Sequence, residues 1–322
     1  MTDTTTQEDQ PIRVATSSCL LGEEVRFNDG HKHNGYLTKT LARHFELIPF
    51  CPEVAIGLGV PRPPIRLVSS DGQVRAVGVK DPTVDVTEDL EEYGRTVASQ
   101  LTDVSGYIFK RASPSCGMER VKIYSTKGMP VDAGAGLYAK TIMQALPLLP
   151  TEEEGRLMDP VLRENFIERV FVYHRWQSLL RSGLTPAGLV DFHTNHKFSV
   201  LAHDEAAYRA LGKIVAESGS VDLPKLAERY ATLLMTAMKK RATRKLHSNV
   251  LLHIMGFLKE KIDGDDKAEL LEVIGNYRHG QIPLIVPITL FKHHLRRHPD
   301  PYITRQYYLK PHPEELMLRN SM

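Results

Sequence analysis

The 322-residue sequence predicts an α/β N-terminal half built on a parallel sheet, followed by a mostly α-helical C-terminal half. Three observations predict it. Up to about residue 150, short apolar runs alternate with helical patterns, the order that builds parallel sheets covered by helices. Beyond that point only helical patterns remain, with apolar residues recurring at three- and four-residue steps. Charge and chemistry divide at the same place. Residues 1–155 carry 16 Lys+Arg against 21 Asp+Glu, a net of −5, with all three cysteines and three histidines. Residues 156–322 carry 25 against 18, a net of +7, with eleven histidines.

The elements follow in order. The polar, acidic start "MTDTTTQEDQP" reads as a disordered lead-in over residues 1–10 and not as a secretory signal. "IRVATSSC" is a short apolar run ending in polar residues, a buried strand. "NGYLTKTLARHF" spaces Tyr36, Leu37, Leu41 and Phe45 as a helix face, and "FELIPFCPE" is a second strand. "IRLVSSDGQVRAVGV" reads as a hairpin turning at Asp71-Gly72. "VTEDLEEYGRTVASQLTDV" is a helix capped by Thr87, with the acidic first turn that the helix dipole favours. "SGYIFK" is a third strand, and "AGLYAKTIMQALPLL" another helix. Prolines and acids in "PLLPTEEEGRLMDP" place a domain boundary there, giving domains over 11–155 and 156–322. In the second, "RENFIERVFVYHRWQSLLRSG", residues 226–262 throughout and "AELLEVIGNYRHGQI" read as helices of a bundle, with Gly183, Gly219 and Gly280 at helix ends.

Composition excludes several classes. At 42% hydrophobic and 25% charged the chain has globular proportions. No stretch approaches the roughly 18–20 apolar residues of a membrane helix, so the expectation is a cytoplasmic protein. Three cysteines, an odd number, make no disulfide framework. Their spacings, 32 residues from Cys19 to Cys51 and 65 from Cys51 to Cys116, match no zinc finger or ferredoxin run.

Yet each cysteine falls just past the carboxyl end of a predicted strand. In an open parallel sheet those ends line one edge, and ligands bind there. Each is dressed in loop chemistry, "SSCLLG", "CPE" and "SPSCG", and not in packing residues. Three thiolates converging on one point would select an iron–sulfur cluster or zinc. Three ligands leave a coordination position open, which catalysis requires.

The stretches "CLLGEEVRFN", "FCPEVAIGLGVPRPPIRLV" and "KRASPSCG" resemble the motifs of the TudS-type thiouracil desulfidase family over residues 11–150. The resemblance implies a Rossmann-like domain holding a [4Fe-4S] cluster through Cys19, Cys51 and Cys116, with the fourth iron open to the sulfur of a thiolated base. One departure is Asn28-Asp29-Gly30 after "VRF", where the family often has Tyr-Asp-Gly. The stretches "VFVYHRW", "LVDFHTNHKFSVLAHD" and "YYLKPHPEELMLRN" resemble the YbgA-like domain, a companion domain without an established activity.

The implied reaction replaces C=S by C=O and releases sulfide without net redox change. Attack by water needs a proton acceptor, and Glu53, two residues after Cys51, is the candidate base. Ser113 is the candidate for a catalytic hydroxyl, with Ser115 and Ser18 supporting the cluster or substrate. Arg62 and Arg66 in "GVPRPPIR" are candidate substrate contacts from the same crevice. The competing readings are a helix-dipole carboxylate for Glu53, turn hydrogen bonds for the serines and surface positions for the arginines. "DAGAGLYAK" offers either an anion cradle at a helix N-terminus or backbone clearance.

In the second half, "KKRATRKLH" puts Lys239, Lys240, Arg241, Arg244 and Lys245 either on one solvated helix face or on a phosphate-contacting stripe for RNA. His174, His193, His196 and His203 read as structural histidines, and His293, His294 and His298 as a basic helix end. Three functions stay open: a desulfidase acting on a thiolated base or nucleoside, a zinc-dependent hydrolase using the same cysteines, and an RNA-binding protein with a structural cluster.

Overall fold

The computed structural model describes residues 11–70, 72–316 and 318–320. The disordered lead-in expected over residues 1–10 lies outside the described residues, as does Asp71 of the expected hairpin turn. The chain divides into two compact units, Met1–Arg156 and Leu157–Met322.

The first unit holds a parallel sheet of β1 (Ile12–Ser17), β2 (Phe45–Phe50), β5 (Val104–Phe109) and β8 (Thr151–Glu153), in the order β2-β1-β5-β8. All its pairings are parallel. Every residue of β5 is buried, as a strand covered on both faces should be. Because β2 and β5 flank β1 on opposite sides, the chain reverses direction of winding at β1, and a crevice opens at the carboxyl ends there. The α/β class and the helical second half are both as expected.

A second, mixed sheet was not anticipated. It runs β4-β3-β6-β7, from β3 (Ile65–Ser70), β4 (Gln73–Gly78), β6 (Val121–Ser125) and β7 (Pro130–Gly134). The expected hairpin is its β3–β4 pair: Ser70 faces Gln73, leaving a two-residue turn in which Gly72 takes φ +77°. In β6 only Val121 and Ile123 are buried, and β7 is exposed along nearly its whole length.

Other boundaries differ for local reasons. The helix expected over 34–45 is only α1 (Gly35–Lys39), followed by a 3-10 turn at Leu41–Arg43, because Phe45 already belongs to β2. Short α2 (Pro52–Ala55) follows β2 directly. Thr87 does not cap α3 (Thr87–Gln100); it is the first helical residue. Its amide is held by the Asp85 carboxylate at 3.0 Å, and its hydroxyl accepts from the Ala76 amide at 2.9 Å, tying the helix to β4. Helix α4 (Leu137–Ala145) packs on α3, with Tyr93 stacked on Tyr138 at 5.6 Å.

The second unit comprises α5 (Pro160–Arg181), α6 (Pro186–His203), α7 (Glu205–Ala216), α8 (Leu223–Lys239), α9 (Arg244–Leu258), α10 (Gly264–Arg278), α11 (Ile285–Arg297) and α12 (Pro301–Thr304). Residues 226–262 are not one helix. Residues 240–243 break it, and Thr243 starts α9 by accepting from the Leu246 amide at 3.2 Å. Phe198, Val250, Leu251, Ile254, Ile274 and Phe291 are among the buried residues of its core.

Candidate active site

Cys19 lies in a 3-10 turn directly after β1, Cys51 caps α2 directly after β2, and Cys116 sits in the loop leaving β5. All three line one cavity of about 330 Å³, together with Ser17, Ser18, Arg26, Lys32, Glu53, Arg62, Lys110 and Ser113. None is in a disulfide. Cys19 and Cys116 are buried and Cys51 is half-buried. Burial pushes the Cys19 thiol up to about 11, against the pull of the Lys110 and Arg26 charges. Burial also raises Cys51, and it raises Cys116 well above the ordinary thiol range. Such thiols form thiolates only where a bound cation compensates the charge.

Among the described residues, the one group of three or more metal-ligating side chains gathered within 4.8 Å is Asp266, Glu269 and His294, in the helical unit.

Glu53 stands on α2, and the structure clamps it. Its Oε2 accepts from Arg62 Nε at 2.9 Å and from Nη2 at 2.8 Å, and its Oε1 accepts from the Ser115 hydroxyl at 2.8 Å. Arg62, with its side chain 3% exposed, also donates to the carbonyls of Gly59 at 2.8 Å and Val25 at 2.9 Å. Arg62 engages both lone pairs of Oε2 and Ser115 one of Oε1, so the clamp orients Glu53 and leaves Oε1 able to accept once more.

The remaining candidates separate. Ser115 is fully buried behind the wall and touches Glu53. The Ser113 hydroxyl oxygen closes the loop by accepting from the Cys116 amide at 3.1 Å and the Ser115 amide at 3.3 Å. Ser18 is buried in the turn that carries Cys19. Arg66 does not share the crevice: it lies in β3, stacks over Tyr124 at 5.6 Å and lines a neighbouring cavity of about 700 Å³.

Two groups carry more weight than their sequence context suggested. The Ser17 hydroxyl accepts from the Lys110 amide at 2.9 Å and hydrogen-bonds Cys116, so it joins β1 to the third cysteine. Lys110 sits beside Cys19. Its place at the end of β5, two positions before the Ala112 turn in "KRASPSCG", was the available signal.

The glycines of "DAGAGLYAK" provide clearance and not an anion cradle. The first turn of α4 is already occupied: the amides of Leu137 and Ala139 donate to the carbonyls of Pro114 and Ser115 at 3.1 and 3.0 Å, and Gly136 donates to Gly117 at 2.8 Å. A Cβ on Gly136 would stand 2.6 Å from the Ser115 carbonyl. The Cys116 loop therefore rests directly on the helix.

In the helical unit the basic run straddles a helix break. Lys239 ends α8, Lys240 and Arg241 lie in the link, and Arg244 and Lys245 start α9. Lys240 pairs with Asp204 at 2.5 Å. The run is thus not a single helix face, and nothing in its geometry supports an RNA contact. His193 bonds the Tyr230 hydroxyl, His196 donates to the Phe192 carbonyl, and His203 bridges Glu168 and the Lys240 carbonyl. No helix among the described residues is long and apolar enough to cross a membrane.

Comparison with known proteins divides the chain in the same way. Residues 14–154 match the family model of 2-thiouracil desulfurase, and residues 197–313 match that of a protein of unknown function, DUF1722. The uncharacterized protein YbgA of Escherichia coli (strain K12) is 32% identical over 154 residues, 48% of this chain and 91% of the relative. The uncharacterized protein YbbK of Bacillus subtilis (strain 168) is 30% identical over 138 residues, 41% of this chain and 90% of the relative. Among solved structures, the [4Fe-4S]-dependent thiouracil desulfidase TudS is 26% identical, with a TM-score of 0.37, over 48% of this chain and 97% of that one.

Proposed function

The chain belongs to the 2-thiouracil desulfurase family over residues 14–154 and is an enzyme with desulfidase activity; from that premise we propose that it converts C=S to C=O on a thiolated nucleobase or nucleoside, with release of sulfide. The observation that carries this reading is the convergence of Cys19, Cys51 and Cys116 on one cavity whose wall also holds an oriented carboxylate, Glu53.

The three cysteines are the proposed ligands of a [4Fe-4S] cluster with one iron open. Soft thiolate donors select iron–sulfur clusters or zinc, and the resemblance of the three cysteine motifs to the cluster-binding TudS-type family favours the cluster. When bound, the cluster supplies a thiophilic electrophile for the thiocarbonyl sulfur. The protein supplies the rest. Arg62 and Ser115 hold Glu53 in one orientation at the cavity wall, where it takes the proton of the attacking water at a carboxylate oxygen. Ser113, its oxygen already fixed by two amides, has its hydroxyl proton to donate to charge developing on the substrate. Ser17 and the Lys110 charge steady the sulfur side of the cavity. The balance is one water consumed and one hydrogen sulfide released per C=S converted, with no electron transferred.

The test is anaerobic reconstitution with iron and sulfide, followed by a screen of thiolated bases, nucleosides and thiolated tRNA for sulfide release. Sulfide from one of these, dependent on bound iron, is the expected result. A colourless protein that binds zinc and releases no sulfide from any of them would overturn the reading.

A further inference from the structure

The group Asp266, Glu269 and His294 lies far in sequence from the cysteines and takes no part in the reaction above. Asp266 and Glu269 are three residues apart on α10, so both project from one face of that helix. His294 comes from α11, which packs against α10. One ligand atom from each lies within 4.8 Å of the others.

His294 is the unusual member. Its residue is 2% exposed, and neither ring nitrogen has a hydrogen-bond partner among the described residues. Leaving a buried polar group unpaired typically costs about 1–3 kcal/mol. Asp266 Oδ2 stands 3.8 Å from Nδ1. That is too long for a hydrogen bond. It is shorter than about 4.2 Å, the widest separation of two N or O ligands on one zinc ion, each roughly 2.1 Å away. The gap fits an ion between the two groups better than it fits a bond between them. Two carboxylates facing one imidazole supply the charge such an ion needs, and Glu269 is exposed, so the site is open to solvent from its own side.

We propose that Asp266, Glu269 and His294 bind a divalent transition-metal ion of the zinc class, joining α10 to α11 in the helical unit. A mixed imidazole and carboxylate set suits Zn²⁺ over Mg²⁺ or Ca²⁺, which take oxygen ligands. Three protein ligands leave a position for water. The inference stands apart from the desulfidase reading, because it uses no cysteine and no substrate.

The test is equilibrium dialysis of the full chain against Zn²⁺, with bound zinc counted by elemental analysis. Wild type is compared with Glu269→Gln, Asp266→Asn and His294→Gln. Any zinc held by the cysteines is a background common to all four. Wild type should hold one equivalent more than each variant, or bind that equivalent at least about tenfold more tightly, since loss of even a supporting partner behind a metal ligand costs 10–100-fold. Glu269 is exposed, so Glu269→Gln retains the fold and remains decisive if His294→Gln does not fold. Equal zinc content and affinity in wild type and Glu269→Gln would overturn the proposal.

Discussion

Replacing Glu53 by Gln separates catalysis from support at a single atom. The amide keeps a carbonyl oxygen for Arg62 and turns its NH2 group toward the Ser115 hydroxyl, which accepts instead of donating. What is lost is the negative charge and the proton acceptor. Arg62 retains the Gly59 and Val25 carbonyls, so its buried charge is solvated in part. The stability loss should then be that of hydrogen bonds to a charged group, about 1–3 kcal/mol, or a few degrees in melting temperature. This exceeds the 0.3–1 kcal/mol of a helix-dipole carboxylate, because the partner is a nearly buried guanidinium. Removing a general base costs about 10²–10⁴-fold in rate, equivalent to about 3–5 kcal/mol of barrier. The variant should therefore bind iron in full, melt slightly earlier and release sulfide at least a hundredfold more slowly in a single anaerobic turnover. Near-normal turnover with full iron would refute the base assignment and make Ser113 the next candidate.

Four further outcomes follow from the same geometry. Cys19→Ala, Cys51→Ala and Cys116→Ala should each abolish cluster binding, and full iron in any one of them removes that cysteine from the ligand set. A chain ending at Arg156 should still take up the cluster on reconstitution, whereas a folded but iron-free product would assign a ligand to the helical half. Gly136→Ala drives a methyl into the Ser115 carbonyl, so it should cost about 1–3 kcal/mol and lower iron content; unchanged melting and iron would show that the loop does not rest on α4 as described. In the helical unit, burial pushes the Glu164 carboxyl up to about 7, against the opposing charge of Arg319. An acid with a raised folded pKa contributes stability in full below its unfolded value near 4.5 and loses it as pH rises through 7. Measured against Glu164→Gln in denaturation curves, wild type should therefore lose about 3 kcal/mol of relative stability between pH 4 and 8; a difference between the two proteins that does not change with pH would sink the account.

The legible part of the fold was the part with strong local periodicity. β1, β2 and β5 announce themselves as short apolar runs, and because a cysteine follows the carboxyl end of each, at once after β2, two residues after β1 and seven after β5, the convergence of Cys19, Cys51 and Cys116 followed from topology. The Glu53–Arg62 clamp did not: the partners stand nine positions apart, across the end of α2 and a loop containing Gly57, Gly59 and Pro61, and no periodic rule predicts how such a loop returns. β6 carried a weak signal, with Val121 and Ile123 alternating against Lys122 before the Lys127-Gly128 turn, but β7 is an exposed edge with no apolar face to betray it. The chain around His294 reads as a basic helix end, since composition registers the neighbouring arginines and not the burial of one imidazole.

The resting of the Cys116 loop on α4 bears on the order of events in maturation. Each cysteine's segment is held by bonds that involve no sulfur: the Cys19 carbonyl by the Lys32 amide, the Cys51 carbonyl by Ala55, and the Pro114 and Ser115 carbonyls by the start of α4. A zinc finger depends on its ion to fold at all. Here β1, β2 and β5, drawn from distant parts of the sequence, must pair before the three thiols meet. On the proposed cluster reading, loading then comes after folding, and protein stripped of iron should stay folded and take up iron again.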